Sequence, residues 1–86
     1  MKIFLHKRFI KGYEKLRQGE KRSFKESRNI FLSDLYNPIL NNHALRGKYT
    51  GYRSIDITGD IRVIYRFLDK DAVLFADIGT HPKLYK

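Results

Sequence analysis

Three histidines, at positions 6, 43 and 81, are the only side chains in this 86-residue sequence that ordinarily titrate near neutrality. His43 stands in "NNHALRG" and His81 in "GTHPKLY", both segments of loop character, where reactive groups tend to gather. His6 closes a short apolar run and reads as structural or surface. Together with Asp60, the two loop histidines could move protons. Arg62, with Arg53 and Arg46, could hold a phosphate, and the Tyr85 ring could stack on a base. These are the parts that metal-free cleavage of RNA requires. A base takes the proton of a ribose 2′-hydroxyl, the oxygen attacks phosphorus, an acid protonates the departing 5′-oxygen, and a cation stabilises the phosphoryl charge. The set is permissive, because almost any basic domain with two histidines supplies it, and a lone loop histidine is more often incidental than catalytic.

Other chemistries fit the sequence less well. There is no HExxH, no pair of histidines four apart and no carboxylate triplet, so a metal is not expected. Neither GxxxxGK nor GxGxxG occurs, which leaves no nucleotide cofactor signature. The absence of cysteine removes disulfides and thiol nucleophiles and suits a reducing compartment. "GKYTGYR" could offer Tyr49, Tyr52 and Arg53 to a base and phosphate, although aromatic residues at strand starts are more often core.

These residues must be positioned by local structure. "KIFLH" reads as a first strand over residues 2–6. Phe9, Ile10, Tyr13 and Leu16 then follow helical spacing, which predicts a helix near 7–18 ended by Gly19. Ser23 with Glu26 three residues later has the form of a capping box, and Phe24, Phe31, Leu32, Leu35 and Tyr36 form an apolar stripe that Pro38 should terminate at Asn37. The outward faces of the two helices would carry Lys11, Lys15, Lys21, Arg22, Lys25 and Arg28. From Tyr52 onward the period changes to two: "YRSIDIT", "IRVIYRF" and "AVLFADI" read as an antiparallel meander. Gly47, Gly51, Gly59 and Gly79 read as turn glycines. On the middle strand Val63, Tyr65 and Phe67 should face the helices, leaving Arg62, Ile64 and Arg66, and by register Ser54 and Asp56, on the other side. The expected architecture is α+β, in the order β-α-α-β-β-β, as a single domain over residues 1–86 with the helices on one face of the sheet.

Eighteen Lys and Arg against nine Asp and Glu give a net charge of +9, a field that concentrates polyanions. Eleven basic and four acidic residues lie in positions 1–47, against seven and five in 48–86, so the excess is concentrated in the helical half. Nucleic acid is the leading partner, and an acidic protein would satisfy the same charge. The amino-terminal apolar run is too short for a signal sequence or a membrane span, so a cytoplasmic location without a membrane partner is expected.

From residue 43 onward, "HALRG", "GYR", "DIRVIY" and "GTHPKLY", in that order and at compatible spacing, resemble the YafQ branch of the RelE/ParE superfamily, toxins of bacterial type II toxin–antitoxin systems. The resemblance implies a RelE-like fold and a metal-independent, cofactor-free endoribonuclease that cuts messenger RNA in the ribosomal A site and is neutralised by a cognate antitoxin. It matches His43, Asp60, His81 and Tyr85 to functional positions, the last usually Phe, and Arg62 to a phosphate-binding arginine. Asp56 stands where several such toxins have another histidine, and Ile61 where tryptophan is frequent. The alternatives are a ParE-like gyrase inhibitor and a non-catalytic basic domain that binds nucleic acid. The resemblance also implies that the turn at Gly79-Thr80 folds His81 and Tyr85 back beside Asp60 and Arg62.

Overall fold

The alternation of apolar and polar residues in the second half of the chain organises a five-stranded sheet. The computed structural model describes residues 1–85. In chain order the elements are β1 (Lys2–Leu5), α1 (Lys7–Glu14), α2 (Gln18–Ser33), β2 (His43–Ala44), β3 (Arg53–Asp56), β4 (Ile61–Asp69), β5 (Ala72–Thr80) and α3 (His81–Leu84), with 3₁₀ turns at Pro38–Leu40 and Gly47–Tyr49. The sheet order is β1-β5-β4-β3-β2. β1 runs parallel to β5, and every other pair is antiparallel. The architecture is therefore α+β, as expected, with a two-residue strand at His43 that the sequence did not signal.

The helix boundaries differ from expectation. α1 ends at Glu14, and α2 begins at Gln18 and carries Gly19 as its second residue. The cap of α2 is formed by Arg17 and Glu20, the backbone N–H of Arg17 donating to Oε1 of Glu20 at 2.9 Å, so Ser23 and Glu26 lie inside the helix. α2 stops at Ser33 because the Asp34 carboxylate accepts from the N–H of Tyr36 at 3.3 Å, an Asx turn that competes with the helix before Pro38 can. His6 caps α1, its Nδ1 accepting from the N–H of Arg8 at 3.1 Å.

The core lies between the helices and the face of the sheet that carries Ile55, Val63, Tyr65, Val73 and Phe75, all fully buried. Phe75 is its centre, with the rings of Phe9, Phe24, Phe31 and Tyr65 at 5.6, 6.0, 5.5 and 6.2 Å. Tyr65 and Val63 share that face as the period predicts, while Phe67 is 38% exposed, its ring edge-on to Tyr65 at 5.8 Å. The Asn42 amide donates to the Tyr65 hydroxyl at 2.7 Å, which gives this buried polar atom its partner. Gly79 is a strand residue and not a turn: β5 continues through Thr80.

Gly12 marks where α1 presses on β5. A Cβ there would stand 2.5 Å from the backbone oxygen of Ile78. Gly12→Ala should therefore destabilise the fold by about 1–2 kcal/mol despite the better helix propensity. Gly19→Ala, with nothing within 4 Å of the added carbon, should stabilise it by about 0.5–1 kcal/mol. Urea unfolding of the two variants measures the opposite signs. Burial raises the Tyr65 hydroxyl above its ordinary 10.0, against smaller opposing effects of the Asn42 hydrogen bond and the Arg53 charge. The folded chain keeps this proton when the unfolded chain has begun to lose it. The stabilisation is thus intact below pH 10 and is lost as pH rises above it. Unfolding from about pH 9 to 11 should show a weaker alkaline loss in Tyr65→Phe than in the wild type.

Candidate active site

The face of the sheet away from the helices receives every second residue of β3 and β4. The register pairs Asp56 with Arg62 and Ser54 with Ile64, and β2 sets His43 opposite Ser54. β5 then passes Gly79 beside Arg62 and delivers the chain into α3. These segments enclose an open cleft of about 360 Å³ lined by Asn41, His43, Leu45, Ser54, Arg62, His81 and Tyr85.

Four of the residues singled out from the sequence, His43, Arg62, His81 and Tyr85, thus share one cleft. His43 and His81 are exposed, and Tyr85 is half-buried. The His81 and Tyr85 rings lie 4.6 Å apart. Three others lie outside its lining. Asp60 is exposed in the turn before β4, and its carbonyl accepts from the N–H of His81 at 3.2 Å, which fixes where α3 begins. Arg46 is exposed ahead of the Gly47–Tyr49 turn. Arg53 projects on the helix side of the sheet, where Nε donates to Oδ1 of Asn42 at 2.8 Å and the guanidinium lies 5.4 Å from the Tyr36 ring centre. Strand alternation explains the split, since Arg53 and Arg62 occupy opposite faces.

Arg62 is held in place. Its Nε lies 2.8 Å from Oδ1 of Asp56, and Nη1 donates to the carbonyls of Thr58 and Ile61 at 2.9 and 3.3 Å. The pair is 19% and 28% exposed. The carboxylate at position 56 therefore orients a cation, a use that its position in the sequence did not reveal.

The tail is anchored from the turn at Gly47–Tyr49. The Tyr49 hydroxyl donates to the carbonyl of Leu84 at 2.9 Å, and its ring packs edge-on against Tyr85 and Tyr52 at 5.9 and 6.2 Å. Tyr49 was singled out as a possible contact for a base, and its ring and hydroxyl are instead taken up by the tail. Leu84 is buried while His81 is exposed, so the same short helix closes the core on one side and lines the cleft on the other. Asn41 and Ser54 were not among the candidate site residues. The period of β3 carried a signal for Ser54, and nothing in the local sequence marked Asn41.

A second open cleft, of about 200 Å³, runs between α1 and the end of β5, with Arg8, Lys11, Lys15 and Lys83 among its lining residues. Among the described residues, no group of three or more His, Cys, Asp or Glu side chains is placed to hold a metal ion, and no helix is long and apolar enough to cross a membrane.

Residues 1–86 match the family described as the bacterial toxin of type II toxin–antitoxin systems, YafQ. Among solved structures, YafQ from E. coli strain BL21(DE3) is similar with a TM-score of 0.78 at 22% identity, over 98% of this chain and 97% of that one. A YoeB/ParE toxin from Agrobacterium tumefaciens has a TM-score of 0.80 at 18% identity over 94% and 99%. The E. coli DinJ–YafQ complex contains a chain with a TM-score of 0.76 at 21% identity over 98% and 97%. At such identities the structural likeness is one of fold. Comparison with curated proteins gave no match.

The Tyr49 anchor has a measurable consequence. Tyr49→Phe removes the hydrogen bond to Leu84 and should cost about 1 kcal/mol, a fall in Tm of about 4–8 °C for a chain of this size. Amide exchange at Tyr85 should accelerate more than at Val63.

Proposed function

This chain belongs to the YafQ family of bacterial type II toxins, and on that premise we propose that it is a metal-independent endoribonuclease that cleaves messenger RNA in the ribosomal A site. The observation that carries the reading is convergence. His43 from β2, Arg62 from β4, and His81 and Tyr85 from α3 and the residue that caps it come from three separate segments and meet in one open cleft. The histidines exchange the two protons that phosphodiester cleavage must move, and the fixed Arg62 guanidinium binds a non-bridging phosphoryl oxygen. The Tyr85 ring, tilted 53° to His81, stacks on a base. Asp60 acts here through its backbone, by setting the start of α3, and Arg46, exposed ahead of the Gly47–Tyr49 turn, adds to the positive field. Arg53 serves the scaffold.

An open cleft suits an extended polynucleotide better than a small substrate, and a net charge of +9 draws in polyanions. The cations of the second cleft add to that field. The gyrase-directed alternative has less to recommend it, since inhibition by binding has no need of two proton-transfer groups beside a phosphate-binding arginine. Complexes of YafQ with DinJ support a cognate antitoxin as the partner of this chain too, an acidic segment covering the basic surface being the simplest block. Residues 1–86 act as one toxin domain in the cytoplasm.

Induction of the wild type in bacteria should arrest growth and produce discrete in-frame 5′ ends on a reporter message, mapped by primer extension. His43→Ala and His81→Ala, with melting curves close to the wild type, should each lose on the order of 10²-fold or more of the cleavage. Growth arrest with intact message in all three strains would instead direct the search to gyrase or another target.

A further inference from the structure

Asn41 is the sole non-glycine residue with positive φ among the described residues, at φ 48° and ψ 46°. Asparagine tolerates this left-handed region better than other side chains with a Cβ. The conformation follows the 3₁₀ turn at Pro38–Leu40 and turns the chain into β2. It also brings the carbonyl oxygen of Asn41 to 2.7 Å from Nδ1 of His43. A carbonyl only accepts, so Nδ1 must carry the proton of that bond. In the neutral ring Nε2 then holds the lone pair. Among the described residues, nothing bonds Nε2.

The next residue holds this turn from the opposite side of the sheet. The Asn42 amide donates to the Leu35 carbonyl at 2.9 Å and to the Tyr65 hydroxyl at 2.7 Å, while its Oδ1 accepts from Arg53. Asn42 is thus tied into the core, and Asn41 projects into the cleft with its side-chain amide 3.5 Å from Oδ2 of Asp56, the carboxylate that orients Arg62.

We propose that Asn41 is a positioning residue whose left-handed backbone fixes His43 in its Nδ1–H tautomer, making Nε2 of His43 the general base for the 2′-hydroxyl. This rests on the nuclease reading and deepens it by dividing the acid and base roles. Nε2 of His43 takes the 2′-hydroxyl proton, O2′ bonds to phosphorus, the P–O5′ bond breaks, and protonated His81 delivers its proton to O5′. The products are a 2′,3′-cyclic phosphate and a 5′-hydroxyl. Solvent returns the two histidines to their starting states.

The test combines imidazole ¹⁵N spectroscopy of the full chain, at a pH about two units above the ordinary histidine value of about 6.5, with single-turnover cleavage on message-programmed ribosomes. The wild type should show His43 protonated at Nδ1. Asn41→Val, whose β-branch disfavours positive φ, should shift that proton towards Nε2. Its saturating rate should fall by on the order of 10²-fold, while the half-saturating concentration changes by less than about threefold. Asn41→Gly, which enters the region without steric cost, should recover the Nδ1–H signature and the greater part of the rate. Protonation of wild-type His43 at Nε2 would overturn the proposal, as would equal rate losses in the Val and Gly variants. Failure of the wild type to cleave at all would sink the nuclease reading and the base role with it, and the ¹⁵N spectrum would still decide whether Asn41 sets the tautomer.

Discussion

The contact on which the rest depends is the burial of Phe75 in the centre of β5. Four rings, two from α2, one from α1 and one from β4, converge on it. The N–H of His6 donates to its carbonyl at 3.0 Å, so β1 and the start of α1 are referred to the same residue. Each of these aromatic side chains removes a large apolar area from water, at roughly 25 cal/mol per Å², and the edge-on geometries add to it. In a chain without disulfides, this cluster sets the height and angle at which both helices lie on the sheet.

From that fixed point the cleft follows by geometry. β5 is held between β1 and β4, so its end is held too, and α3 begins where the Asp60 carbonyl and β5 meet. His81 and Tyr85 are thereby placed without any long flexible connection. On the neighbouring strands the pleat divides the arginines. Arg53 goes inward to secure Asn42, and Arg62 goes outward to Asp56 and the cleft. One face of the same sheet makes the core and the other lines the cleft, and a single residue of register shift would exchange them.

The cleft also shows how a small domain gets order from backbone groups. His43 is exposed and would be free to rotate were its Nδ1 not held by the Asn41 carbonyl. Arg62, which carries rotamer entropy of about 2 kcal/mol, is restrained by one carboxylate and two carbonyls. Both restraints exist before any substrate arrives. This is what preorganisation requires, since ordering done in advance is not subtracted from binding or from the barrier.

Much of this was legible in the sequence where the cause is local. Period two in "IRVIYRF" and "AVLFADI" was enough to separate Tyr65 from Arg62, and helical spacing was enough to locate two helices. Their ends were not legible, because Asp34 and Glu20 outcompete the more obvious Pro38 and Ser23 through hydrogen bonds whose geometry spacing alone does not specify. The parallel pairing of β1 with β5 and the tether from Tyr49 to Leu84 join residues 30 or more positions apart, and the strand at His43 is too short to carry a period of its own. Residue types, their periodicity and charge determined that this chain is a basic α+β domain with two histidines outside its apolar stripes. Which groups share a cleft was decided by tertiary structure, because that depends on distances between segments that sequence order does not encode.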